Sequence, residues 1–241
     1  MSNLREKLFA AANLRRVSGT LPYPVALFRF LSIYLQYDES DVLARIVSFL
    51  RRNGIRLTVF VTGGSLARKC AEVRALAALG CEIGLHGFRH YSPDRISPRL
   101  FETDLTRCLA AFRAQSLNPR GYRAPNLAMR TDAYPILRRH GVTCSSSVML
   151  PREGLDPMEL GVHFQDFPII LERPSPEEAR CAMREHIIGG NILCLHPYGL
   201  LHPRFHAMLA SLMRERGVEP ITLAEKASGR QGPCMTLDLG T

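Results

Sequence analysis

The sequence predicts an α/β fold in which seven or eight strand–helix units lay down a parallel sheet and close it as a barrel. Short apolar runs alternate with amphipathic stretches along most of the chain. Repeated strand–helix–strand connections of that kind are right-handed and build parallel sheets. The amphipathic stretches also carry helix punctuation, Ser or Ser-Pro in front and Gly behind. Finally, four apolar runs end on ionisable side chains, where the working residues of such barrels gather.

Residues 1–25 read as a lead-in. Leu4, Leu8 and Phe9 at helical spacing, flanked by Arg5, Lys7, Arg15 and Arg16, predict a short basic amphipathic helix. It either packs on the barrel floor or lies on a membrane surface. Pro22 and Pro24 break the chain before a first strand over 31–38. Ser40 then caps a helix through Val42, Leu43, Ile46, Phe49 and Leu50 that stops near Gly54. A strand over 57–61 leads to a helix over 65–79 ended by Gly80, and a strand over 82–86 follows. Ser97-Pro98 opens a helix carrying Leu100, Leu105, Leu109 and Phe112, and a short strand ends near Arg123. A helix near 131–140 stops at Gly141 before a strand over 143–148. Beyond the irregular stretch 150–166 come a strand over 167–170, a helix from Ser175-Pro176, a strand over 191–196, a helix near 203–215 and a last strand around Ile221. Residues 223–241 read as a C-terminal helix and tail. With no linker, repeat or low-complexity segment, 1–241 is a single domain.

The chain has 241 residues, 46% of them hydrophobic, which suits one well-buried domain and excludes disorder. Lys and Arg outnumber Asp and Glu by 31 to 22, giving +9. The excess is dispersed, as in Arg51-Arg52 and Arg138-Arg139. Such a surface suits an anionic polymer, a phosphate-bearing lipid or a membrane face, and equally a surface that is only solvated. No glycine-rich phosphate loop or aromatic-studded basic stripe points to nucleic acid. Seven cysteines without a CxxC spacing argue against a disulfide framework and against a structural zinc cluster. Cys194, inside an apolar run, reads as core. A reducing compartment is expected, and Met1 to Thr20 shows no export pattern. The expected location is therefore the cytoplasm.

The chemistry is carried by the strand exits. Glu82-Ile83-Gly84-Leu85 runs into His86, with His90 four residues on; Asp38 and Glu39 end the run from Leu31; Arg123 closes Gly121-Tyr122; and His196 closes Ile192-Leu193-Cys194-Leu195. Buried polar groups cost stability unless something uses them. Two imidazoles at this spacing bind one divalent ion when a carboxylate supplies a third ligand. Asp38-Glu39 offers that carboxylate: one acid binds metal and the other abstracts a proton, or both simply favour the dipole of the helix they start. Taken singly, Arg123 reads as a structural cation and His196 as a core histidine; their joint placement makes the case. A second HxxxH pair, His202 and His206, flanks Pro203 and reads as capping and surface histidines.

These motifs resemble those of the polysaccharide deacetylases, the NodB-homology or carbohydrate esterase family 4 group. The residues are Leu35-Gln36-Tyr37-Asp38-Glu39, His86 with His90 after their strand, Tyr122-Arg123-Ala124-Pro125, and Leu193-Cys194-Leu195-His196. Order and separation match over roughly residues 30 to 200. The resemblance implies a distorted (β/α) barrel of the NodB-homology type and one divalent ion, commonly zinc. It implies hydrolysis of N-acyl or O-acyl groups on sugars. Carried over, Asp38 takes the general-base position, Glu39 the metal carboxylate, and His86 and His90 the metal imidazoles. Arg123 orients the base, His196 is the general acid, and a backbone N–H after Pro125, near Asn126, meets the oxyanion. The longer second acid leaves another assignment open, with Asp38 as the metal ligand and a different group as the base. The chain departs from the family at the Asp–Glu step, at Asn126 in place of an aromatic, and in having no tryptophan. Ser145-Ser146-Ser147 stands about where an Asp-rich fourth motif is expected, which leaves Arg123 without an acid from that motif.

The resulting expectation is a metal-dependent deacetylase or deformylase. Its substrate is an amino sugar of a bacterial envelope polysaccharide or a lipid-linked precursor, such as that of lipopolysaccharide O-antigen, met at the inner face of a membrane. The alternative is a degenerate barrel that binds glycan or a partner protein without turnover.

Overall fold

In this computed structural model the described residues are Pro24, Val25, Phe28 and 39–239 except 168, 170–174 and 202. The expected amphipathic N-terminal helix and the strand over 31–38 lie outside them. The described elements run α1 (Glu39–Asn53), β1 (Thr58–Val61), α2 (Gly63–Leu66), α3 (Cys70–Ala78), β2 (Glu82–Leu85), α4 (Pro98–Ala114), β3 (Gly121–Tyr122), α5 (Ala133–Arg139), β4 (Cys144–Ser145) and β5 (Phe164–Gln165). They continue with α6 (Pro176–Ile188), β6 (Ile192–Leu195), α7 (Pro197–Leu201), α8 (Pro203–Arg216), α9 (Leu223–Ala227) and β7 (Cys234–Leu239).

The seven strands form one sheet in the order β4-β3-β2-β1-β7-β6-β5, and every pairing is parallel. Parallel bridges Ser145↔Glu159 and Met149↔Val162 tie the β4 edge to the segment that runs into β5. The sheet thus curls back on itself as a half-barrel, as the fold class requires. Its central strands are sandwiched by helices, so Val59, Val61, Leu85, Leu193, Leu195, Met235 and Leu237 are all buried. Each such side chain contributes ~1.5–3 kcal/mol on leaving water. Several helix starts follow the punctuation: Ser97 Oγ accepts from Leu100 N at 3.2 Å, and Ser175 with Glu178 closes a capping box on α6.

Three expectations are corrected. The helix over 65–79 is two helices, α2 and α3. The strand placed over 167–170 falls earlier, at Phe164–Gln165, and Phe167 and Ile169 are helical; short apolar runs do not reveal their period. Ile221 forms only an isolated bridge with Cys234. The final strand is β7, the stretch read as a tail, and it lies between β1 and β6 with Thr58 opposite Thr236 and Leu195 opposite Leu237.

Candidate active site

His86 follows β2 directly, and its N–H continues the ladder to Val61 O at 3.1 Å. Its buried ring places Nδ1 2.9 Å from the Arg123 carbonyl. A carbonyl only accepts, so Nδ1 carries the proton and Nε2 presents a lone pair. That Nε2 lies 3.1 Å from His90 Nε2. Burial lowers the pKa of both imidazoles, and the neighbouring His86 helps push His90 to about 3. His90 is held at φ 56°, a left-handed conformation that costs a side chain of this size of order 1–3 kcal/mol.

Arg123 leaves β3 and is fully buried. Its Nη1 faces the Asp238 carboxylate at 3.3 and 3.4 Å, and its Nη2 donates to Ser146 Oγ at 3.1 Å and Thr236 Oγ1 at 2.8 Å. The guanidinium carbon lies 4.8 Å over the Phe60 ring. Gly84 permits that ring: a Cβ there would meet Phe60 at 2.6 Å. Burial alone would raise the Asp238 pKa, but Arg123, His86 and His196 outweigh it and hold the carboxylate below its usual range.

His196 ends β6. Its Nδ1 lies 2.6 Å from Asp166 Oδ1, and its backbone N–H donates to Asp166 Oδ2 at 2.7 Å. Burial works to lower this pKa, yet the paired Asp166 carries it above the ordinary histidine value. The paired carboxylate thus favours the protonated ring, whose Nε2 is not the atom engaged by Asp166. One ligand atom each from Cys194, His196 and Asp238 lies within 4.8 Å of the others, so the His196–Asp166 and Asp238–Arg123 pairs share one cleft. Cys194 Sγ donates to Asp238 Oδ2 at 3.4 Å. Burial, the first of its causes, raises the thiol pKa far above its normal value, so this cysteine stays protonated.

Past Arg123 the chain makes a tight turn over Pro125–Leu127. Ala124 N anchors it on Ser147 Oγ at 2.8 Å, and Asn126 Nδ2 donates to Ser92 Oγ at 2.6 Å. Asn126 sits at φ 61°, which Asn tolerates better than most residues. Pro125 Cγ lies 3.9 Å from where a Gly87 Cβ would stand, which seats the turn beside the imidazole pair.

Of the residues expected from sequence, His86, His90, Arg123 and His196 converge, and Pro125 and Asn126 border them. Asp38 lies outside the described residues, and so does the side chain of Glu39, whose backbone opens α1. Arg123 is not without an acid: its partner is Asp238, from the opposite end of the sequence. The acid beside His196 is Asp166, also absent from the expectation. Both had a signal. Asp238 is the penultimate residue of β7 and Asp166 directly follows β5, each an acid at the carboxyl end of a strand. His206 of the second pair packs edge-on to Phe49 with centroids 3.8 Å apart.

The imidazole pair suits a divalent cation. Two Nε2 atoms of neutral imidazoles 3.1 Å apart come close to the edge, about 3.3 Å, of a tetrahedral centre with metal–nitrogen bonds of about 2.0–2.1 Å. His86 and His90 would hold the ion. Asp238 feels both imidazoles but is engaged by Arg123, so it reads as a base more than as a ligand.

Residues 30–145 match the family model for polysaccharide deacetylase. Over 111 residues the chain is 31% identical to the peptidoglycan deacetylase-like protein FGM2 of Gibberella zeae, covering 44% of this chain and 32% of that protein. It thus spans about a third of the length of this curated relative. A crystal structure assigned as a polysaccharide deacetylase of Mycobacterium smegmatis superposes with TM-score 0.65 at 23% identity, over 78% of this chain and 76% of that one. A family 4 carbohydrate esterase from Streptomyces lividans gives 0.61 at 15%, over 80% and 91%. A pseudoenzyme of the same family from Bacillus anthracis gives 0.63 at 16%, over 82% and 64%. The likeness to these three is one of fold. The resemblance to the polysaccharide deacetylase family is borne out, in sequence over 30–145 and in fold over most of the chain. Asp166, His196 and Asp238 lie beyond the matched residues, so their roles rest on geometry.

Proposed function

We propose that this chain is a metal-dependent hydrolase that removes an acetyl or formyl group from the nitrogen of an amino sugar. The substrate is a bacterial cell-envelope polysaccharide or its lipid-linked precursor, as in lipopolysaccharide biosynthesis. The observation that carries this is the pairing of opposites in one site: a carboxylate facing Arg123, which favours its ionised form, and an imidazole on Asp166, which favours its protonated form, beside two neutral imidazoles. Groups whose environments push their pKa values apart divide into base and acid.

His86 and His90 would hold a divalent ion, most simply zinc, which would supply a water of lowered pKa and a Lewis acid for the acyl carbonyl. Asp238 accepts the proton from the attacking water, and the buried Arg123 fixes the carboxylate for that task. The turn at Pro125 and Asn126 offers a backbone N–H to the developing oxyanion. His196 gives its Nε2 proton to the departing amine as the C–N bond breaks, and Asp166 keeps that ring oriented. Free amine and carboxylate are the products. The dispersed net charge of +9 supports a cytoplasmic enzyme that meets an anionic, lipid-linked substrate at the inner face of a membrane.

The test is release of acetate or formate from N-acylated amino-sugar polymers and lipid-linked saccharides, with and without chelator. Loss on chelation and restoration by zinc are expected. Turnover that persists in metal-free protein, or in His86→Ala, overturns the chemistry. A second reading, a barrel that binds glycan without turnover, is favoured by one observation: β7 ends Asp238-Leu239, a single acid already spent on Arg123. Protein that takes up no metal after supplementation, yet retains glycan, would decide for it.

A further inference from the structure

We propose that Asp104, which touches neither imidazole, is the positioning residue that sets His90 against His86; this rests on the metal reading above. Asp104 lies on α4 and is buried. Its Oδ2 accepts from Phe88 N at 2.6 Å and its Oδ1 from Arg89 N at 3.2 Å. Those two amides belong to the turn between the imidazoles. The turn's carbonyls are gripped from the other side, where Gly63 N donates to Gly87 O at 2.9 Å and Gly64 N to Phe88 O at 3.0 Å. Residues 87–89 are thereby held from outside on both donors and acceptors.

That grip is needed because the turn is not one the chain would hold by itself. Gly87 sits at φ 72° and His90 at φ 56°. A left-handed histidine persists only where its surroundings over-determine it. The fit around the carboxylate is close, since a Cβ on Gly87 would come within 3.0 Å of Asp104 Oδ2. Arg107 covers the outer face of the turn, its guanidinium carbon 4.5 Å from the Phe88 ring centre. Asp104 is thus the one buried acid that couples helix α4 to the spacing of the two nitrogens. Groups that orient metal ligands typically change metal affinity 10–100-fold when removed.

The experiment is cobalt(II) titration followed by visible absorption, on the wild type, Asp104→Asn, His86→Ala and Glu82→Gln. Asparagine keeps one acceptor and turns an NH2 against the other amide. Glu82 is a partly buried carboxylate at the far end of the strands, where it accepts from Ala224 N at 2.9 Å. The expected result is a 10–100-fold weaker cobalt affinity in Asp104→Asn, loss of the site in His86→Ala, and wild-type affinity in Glu82→Gln. Unchanged affinity in Asp104→Asn overturns the role of Asp104 and leaves the metal site standing. Equal weakening in Glu82→Gln overturns it too, as general loosening. A wild type that binds no cobalt removes the site and this role with it. Should Asp104→Asn fail to fold, Asp104→Glu keeps the charge but displaces the carboxylate by one methylene, and the same weakening is expected.

Discussion

The two ends of the parallel sheet bury polar groups in opposite ways. At the amino ends, Thr58 Oγ1 donates to Glu82 Oε2 at 2.8 Å and accepts from Leu223 N at 2.7 Å, while Glu82 Oε2 also takes Ala224 N at 2.9 Å. Thr222 and Glu225 close a capping box on the same short helix, α9. The donors and acceptors there match. At the carboxyl ends, Arg123 is fully buried, its Nε has no hydrogen-bond partner among the described residues, and its acid stands off at 3.3 Å. Three non-glycine residues, His90, Asn126 and Leu127, are left-handed in the adjoining turns. Strain and incomplete satisfaction at one end, with full satisfaction at the other, is how a barrel separates what holds it together from what it does.

The largest effect expected from breaking that contrast is at Asp238. Asp238→Ala removes the proposed base and leaves a buried guanidinium without its charge partner. Turnover should fall by about 10²–10⁴. Stability should fall by about 3–5 kcal/mol, because the unpaired Arg123 is desolvated. Steady-state acetate release and denaturant unfolding of the same protein read the two losses separately. Activity within tenfold of the wild type would hand the role of base back to the Asp38–Glu39 step.

Much of this site was legible because a polar residue at the end of an apolar run is visible in any sequence. His86, Arg123 and His196 are of that kind, and the HxxxH spacing adds His90. Asp238 obeys the same rule but was hidden by position. A strand near the end of a chain, interrupted by Thr236 and Asp238, looks like a tail, and only the sheet order shows it between β1 and β6. Asp38-Glu39 drew the assignment because it ends the apolar run from Leu31 and matches the first motif of the resemblance. Asp166 was obscured by a register error: reading Phe167–Ile170 as the strand put the acid before the strand instead of after it. Asp104 left no trace, because nothing in a helical sequence says which turn its carboxylate will cap.

A smaller effect is expected at the second charged pair. The folded pKa of His196 is raised, and Asp166 is what raises it against burial. Its contribution to stability is therefore complete below the unfolded value of about 6.5 and is lost as pH rises through the folded value. As general acid it must be protonated, so activity should decline on the alkaline side. Asp166→Asn removes the anion, and the alkaline limb of the pH–rate profile should move to lower pH. Neutral-pH turnover should drop by about tenfold or more, up to the 10²–10⁴ attributed to a general acid. An unmoved limb would mean that His196 is not the group being titrated.

The smallest effect on turnover belongs to the satisfied end, and it sharpens the contrast most. Glu82→Gln keeps the shape of the side chain but offers one oxygen where Thr58 Oγ1 and Ala224 N now share Oε2. Unfolding free energy should fall by about 1–3 kcal/mol with kcat unchanged. Replacing Thr58 by Val in the same protein removes the donor as well, and leaves Leu223 N without its acceptor. If the end behaves as one network, the double variant loses less than the two single losses added, because each single change has already spoiled the other's bond. The coupling should be of order 0.5–3 kcal/mol. Simple additivity would mean that these residues act independently, and that the amino ends owe their stability to the apolar packing of β1, β2 and β7 rather than to the polar network.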